Sequence, residues 1–188
     1  MEHVATILER EGDALEQLLF KLIETQLLLQ ADEARFLPRA TREVERARAR
    51  ARELDLLRAA TVARTSCGAR LRDLATAATG PWPAILRDHH DVLTRLVDEI
   101  EVVAHQNAQM AERGIATLSR EPVPVGAAVS AASTSVGATL AAAPVAVGGA
   151  GRPIRNAELD RLARGAALDA VLGTAAKLRM PDLIDFLR

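Results

Sequence analysis

Apolar residues return every three or four positions along most of this chain, and the longest such run lies between Trp82 and Leu118. Its line is Leu86, His89, Leu93, Leu96, Ile100, Val103, Asn107 and Met110. That spacing is a heptad seam, which holds one stripe of a helix against a partner helix. At about 1.5 Å per residue the helix should measure roughly 55 Å. A second line through Ile85, Val92, Val102, Ile115 and Leu118 widens the stripe beyond what one partner would cover. The pattern therefore predicts a further element along this helix.

Residues 2 to about 32 carry the same period in Val4, Leu8, Leu15, Leu18, Leu22 and Leu29, interrupted by Glu11 and Thr25. Gly12 costs about 1 kcal/mol relative to Ala and allows a bend or a close contact. Gln30 to Glu33 reads as a turn, and Pro38 is expected at the start of a second helix or at a kink. From there to about Arg64 the seam is Leu37, Ala40, Val44, Ala47, Ala51 and Leu54, and it then reaches Arg58. Small residues in mid-seam let two helix backbones approach closely. The remaining face interleaves Arg and Glu at helical spacing, the pattern of a solvated face with i,i+4 pairs. Cys67 and Gly68 interrupt, and a short helix is expected over 69–78. Gly80-Pro-Trp-Pro83 opens the long helix, where prolines are tolerated in a first turn.

Beyond Glu121 the character changes. Residues 122–151 hold no charge, with three prolines, repeated glycines and a single Leu. This reads as a flexible tether over 121–155 rather than a membrane span, so no stable membrane insertion is expected. Structure should resume at Asn156, a good N-cap. Leu159, Leu162, Ala166, Val171, Leu172, Ala175 and Leu178 then give an amphipathic helix that Pro181 ends or kinks.

Composition narrows the class. Aromatics make up 2% of the chain, with no Tyr, while 49% is hydrophobic. Ala, Leu and Arg in these proportions favour helices over an aromatic-rich β core. The expected fold is all-α: an antiparallel bundle of three long helices and a short one, a linker, and a C-terminal amphipathic helix. Twenty-four basic against 25 acidic residues leave a net charge of -1, with no basic excess to follow a phosphate backbone, so nucleic-acid binding is not expected. A lone Cys67 and an N-terminus without a basic, apolar leader point to the cytoplasm.

Candidate chemistry is sparse. The histidines are His3, His89, His90 and His105, and adjacent His89 and His90 point about 100° apart on a helix and cannot chelate together. There is no HExxH, paired-Cys or P-loop motif, and Gly148 to Arg152 matches a phosphate loop only in its glycines. No enzyme, cofactor or metal is expected. Asn107 has two readings: a seam amide that fixes register at a cost in stability, or a rim position meeting water.

The order of these elements resembles the FlgN family of flagellar export chaperones over residues 1–120. The matching pieces are Ala14-Leu-Glu-Gln-Leu-Leu19, Glu43-Val-Glu-Arg46 with Glu53-Leu-Asp-Leu-Leu-Arg58, Leu71-Arg-Asp-Leu-Ala75, and Leu96-Val-Asp-Glu-Ile100 with Gln106-Asn-Ala-Gln-Met110. The resemblance implies a small cytoplasmic helical protein that binds the C-terminal segments of hook–filament junction proteins. It would keep them from assembling early and deliver them to the type III export gate. It also implies a client surface on the long helix, with Asn107 matching the family's Asn in this neighbourhood. The expected client-binding residues are Val92, Leu96, Ile100, Val103, Asn107, Met110, Ile115 and Leu118. The absence of Tyr departs from any family contact that uses a tyrosine at the export gate.

The C-terminal segment carries a second resemblance. Ala157 to Arg188, above all Met180-Pro-Asp-Leu-Ile-Asp-Phe-Leu-Arg188, is similar to the C-terminus of the junction proteins themselves. Leu172, Leu178, Met180, Leu183, Ile184, Phe186 and Leu187 would be the anchors of this client-like tail. It could occupy the chain's own client groove, in cis or in a neighbour, or it could be a fusion remnant docked elsewhere. With an effective concentration of order 1 mM and an intrinsic Kd near 10 μM, the groove would be filled about 99% of the time. A client would then bind roughly 100-fold more weakly than to the bare groove. The other reading is a coiled-coil adaptor that dimerises through its apolar stripe. Monomer and homodimer both remain open.

Overall fold

The computed structural model describes residues 1–65, 70–120, 153–178 and 180–188. Cys67 and residues 121–152 of the linker expected over 121–155, the glycine-rich 148–151 among them, lie outside the described residues. Among the described residues six α-helices carry the fold: α1 (Glu2–Gln30), α2 (Leu37–Thr65), α3 (Leu71–Ala77), α4 (Trp82–Arg120), α5 (Pro153–Ala176) and α6 (Pro181–Leu187). Among the described residues there is no strand, as the all-α expectation requires.

The turn after α1 shows why that helix stops. Asp32 takes a φ of 57°, a left-handed geometry that Asp tolerates better than most residues. The N–H of Glu33 then reaches back to the Leu28 carbonyl at 3.0 Å, satisfying one of the orphan carbonyls of the helix end. A single 3-10 turn, Ala34–Phe36, leads into α2, where Pro38 sits in the first turn. There its missing N–H costs nothing.

Inter-helix pairs give the directions. Glu11 meets Arg58 and Lys21 meets Glu43, so α1 and α2 are antiparallel. Asn107 bonds to Leu22 and Gln106 to Gln26, while Gly12 faces Leu93, so α1 and α4 run parallel. Leu168 lies on Gly114 and Arg161 reaches Leu118, which sets α5 antiparallel to α4. Arg164 pairs with Asp32 and Lys177 with Glu45, placing α5 along α2. The result is a four-helix arrangement in which α1 touches α2 and α4, and α5 fills the space between those same two helices.

Two details differ from the sequence expectation. Helix α5 begins at Pro153 rather than at Asn156, because proline is well suited to a first helical turn. Its buried face is Ala167, Leu168, Val171 and Thr174, whereas Leu159 and Leu162 are exposed. The apolar residues of α5 form two lines, and the body covers only the one that meets Gly114.

The core divides in two. The larger part joins Leu8, Leu15, Leu18 and Leu22 of α1 with Val44 and Leu54 of α2, Leu71 of α3, Leu86, Leu93 and Ile100 of α4, and Leu183, Phe186 and Leu187 of α6. A smaller one gathers Leu37, Ala111, Ala167, Leu168 and Val171. Removing such side chains from water contributes about 25 cal/mol per Å2. Leu8, Leu15, Leu18, Leu71, Leu86 and Ile100 are fully buried and anchor the larger part.

Candidate helix-binding groove

On α4 the centre of the buried stripe is Leu86, Leu93, Ile100 and Asn107, each seven residues from the next. Its flank toward α5 runs through Val97, Ala104 and Ala111, all buried. The flank through Leu96, Val103 and Met110 goes to the other side, where Gln106 Oε1 accepts from Gln26 Nε2 of α1 at 2.7 Å. Small side chains on α4 therefore border one groove wall, and Leu37, Ala40, Val44 and Ala47 of α2 are buried on the opposite helix. Helix α1 forms the floor.

Helix α5 lies in this groove. Ala167, Leu168 and Val171 pack with Leu37 and Ala111, while Leu28, Leu29, Ile115, Leu118 and Leu172 close the edges. Gly114 makes the fit possible, because a Cβ built there would come within 2.9 Å of Leu168 Cδ1. Polar contacts border the seat: Arg48 Nε donates to the Lys177 carbonyl at 2.9 Å, and Arg161 donates to the Leu118 carbonyl.

At mid-depth the groove carries a polar layer. Asn107 is 1% exposed; its Nδ2 donates to the Leu22 carbonyl at 2.9 Å, and its Oδ1 is buried without a hydrogen-bond partner. A small cavity here is lined by Thr25, Thr41, Asn107 and Thr174, with Leu22, Val44, Val171 and Ala175 around them. Each threonine hydroxyl donates to its own helix, to Lys21, Leu37 and Ala170 respectively, at 2.9 Å. Four helices thus each bring one polar side chain to one level. Asn107 belongs to the interior seam, not to the rim.

Helix α6 has a separate seat at the other end of α4. Leu183, Phe186 and Leu187 are buried, and His90 Nε2 lies 2.9 Å from the Leu187 carbonyl oxygen. The Phe186 ring stands 3.9 Å from the Arg58 guanidinium carbon. Arg58 is itself buried, with Nε 3.0 Å from Glu11 Oε2 and a terminal nitrogen on Asp55. Burial pushes the Glu11 carboxyl up to about 7, against the pull of Arg58. A carboxyl taken out of water disfavours its charge, and one shared guanidinium does not fully compensate.

The expected client residues are therefore divided. Leu96 and Ile100 are in the bundle core, Val103 packs against it, and Asn107 is in the polar layer. Ile115 and Leu118 face α5, Met110 is half-buried, and Val92 and Val102 are exposed on the outer surface. The tail residues come together on the body: Leu178, Leu183, Phe186 and Leu187 are buried, with Met180 and Ile184 packed beside them, and Leu172 sits by the second cluster. Sequence reasoning missed Ala104, Ala111, Gly114 and the threonine layer. Their signal was small-residue spacing on α4 at the same steps as the leucines.

The FlgN protein family model matches residues 1–121. The chain belongs to the FlgN family. No curated protein and no solved structure matches it. Membership in the FlgN family makes this a flagellar export chaperone, and the matched region ends just past α4. Both α5 and α6 lie beyond it. The FlgN-matched part of the chain supplies three of the helices around the groove, and the unmatched part supplies the occupant. Among the described residues no helix is long and apolar enough to cross a membrane, and no group of three or more His, Cys, Asp or Glu side chains could hold a metal.

Proposed function

We propose that this protein is a cytoplasmic chaperone that binds the C-terminal helices of hook–filament junction proteins in the groove between α2 and α4. It prevents their premature assembly and presents them to the flagellar export gate. Its own α5 and α6 act as a stand-in client, α5 filling the groove and α6 its separate seat, until a client displaces them. One observation carries this reading: a helix with an apolar face already lies in the groove, seated on Ala111, Leu37 and Gly114. A surface that accepts one such helix at this spacing suits another, by the helix-in-groove mode of recognition.

The test is a titration of a junction-protein C-terminal peptide against the full chain and against a chain lacking residues 152–188. The truncated chain should bind about 100-fold more tightly, as expected when a tethered competitor is removed. Leu168→Asp with Val171→Asp in the full chain should open the same groove without deletion. Equal affinity in all three would rule out self-occupancy, and no binding in any would rule out the client.

A second reading has one observation in its favour. Phe20, Ile23 and Leu27 form an exposed line on α1, at spacings of three and four that suit a coiled-coil contact. An adaptor that dimerises through this line would give a stable dimer by light scattering without any client. A monomer across the micromolar range would dismiss it.

A further inference from the structure

The seat of α6 differs from the α5 groove in its chemistry, and the difference lies in Arg58. A guanidinium stays charged at any relevant pH, so a buried one must have its charge met from every side. Two of its three nitrogens are engaged in plane: Nε with Glu11 and one terminal nitrogen with Asp55. The flat face is met by the Phe186 ring, 3.9 Å away. An aromatic ring presents negative π density to a cation, whereas an aliphatic side chain of similar size fills the space and offers none.

The other contacts of this seat do not read side-chain identity with comparable sharpness. His90 meets a backbone carbonyl, that of Leu187, which every residue supplies. Leu183 and Leu187 are buried among Leu71, Leu74 and Leu86, where swaps among large aliphatic residues usually cost little. His90 sets depth and register; the leucines supply burial.

We infer that Arg58 is the specificity-determining residue of this seat, selecting an incoming amphipathic helix that places a phenyl ring where Phe186 stands. The occupant is a short helix from another polypeptide with the spacing Leu-x-x-Phe-Leu seen at Leu183, Phe186 and Leu187. This rests on the reading that the chain exchanges its own helices for those of a client. It goes beyond that reading in assigning selection to one buried cation on α2, away from the α5 groove.

The experiment uses the full chain carrying Phe186→Ala, which loosens α6, and two labelled peptides spanning residues 176–188. One has the natural sequence and the other has Leu at position 186. The natural peptide should bind about tenfold more tightly, the order expected of a desolvated cation–π contact. With Arg58→Lys added, which keeps a positive charge beside Glu11, the preference should fall below about threefold. An unchanged preference in the lysine variant, no preference with Arg58 present, or no binding of either peptide would each overturn the assignment.

Amide exchange in the intact chain gives a second measurement that does not depend on the Arg58 variant folding. Phe186→Trp should retain protection over residues 183–187, and Phe186→Leu should lose about tenfold; equal protection overturns the assignment. If a client peptide spanning both seats binds equally well with Phe or Leu at the position of Phe186, the chaperone reading survives and the role of Arg58 does not.

Discussion

Leu168 of α5 stands over Gly114 of α4 so closely that the glycine has no room for a methyl group, with 2.9 Å between its would-be Cβ and Leu168 Cδ1. That pair ties the unmatched tail to the family-matched body at one point. Gly114→Ala should act in two directions at once. Helix α4 gains about 1 kcal/mol of intrinsic propensity, while the Leu168 side chain must shift away from the new methyl group, loosening its seat. Hydrogen exchange should therefore quicken in α5 and not in α4. Unchanged α5 protection would mean that Leu168 repacks without loss.

Gly12 provides the contrast. A Cβ there would meet Leu93 at 4.0 Å, an ordinary contact. Gly12→Ala should stabilise the chain by up to about 1 kcal/mol through helix propensity and a less flexible unfolded state. A raised midpoint in urea is the expected result, with the α5 exchange rates unaltered.

Glu11 makes stability depend on pH in an unusual sense for a carboxyl. Its folded pKa is about 7 against an ordinary 4.5, mainly because of burial. Between those values the folded chain holds a proton that the unfolded chain has released. Stability from this group is full below pH 4.5 and declines as pH rises through 7, by about 3 kcal/mol in all. Urea midpoints measured from pH 5 to 8 should fall accordingly, and Glu11→Gln should flatten the slope. A slope that survives in the glutamine variant would place its origin elsewhere.

Asn107 presents a buried oxygen without a partner, so replacing it with a side chain of the same shape removes a cost. Asn107→Leu should leave the thermal midpoint unchanged or raise it. What it should lose is uniqueness of alignment, since a single buried amide on a seam fixes register. Doubled amide resonances for Val171 and Thr174 would be the signature. One set of resonances together with a stability lowered by about 2 kcal/mol or more would show that the amide's bond to Leu22 dominates instead.

Much of this was legible in the residue pattern, for reasons that can be named. The leucine seams of α1 and α4 are long and strongly periodic, so element type and approximate extent followed from spacing. The seam breaks at Glu11 and Arg58 were also visible, but their pairing was not. Glu11 is explained by Arg58, and 47 positions separate them. The groove was harder to read because its α4 wall is built on Ala104, Ala111 and Gly114. Apolar periodicity weighs large side chains, whereas a groove for a helix is made where side chains are small. That is why Val92 and Val102, conspicuous in sequence, lie outside it and Ala104 and Ala111 lie within. The buried face of α5 was misjudged for a related reason, since either of its apolar lines satisfies the period and only Gly114 chooses between them.

Helix α4 is long enough to hold α6 near His90 and α5 near Gly114 at the same time, and α5 ends at Ala176 while α6 begins at Pro181. Two footholds on one rod change the kinetics of letting go. When one helix detaches, the other keeps it nearby, so recapture outpaces escape unless an invader takes the vacated place. Departure of the tail is then a stepwise race, won from whichever end opens first.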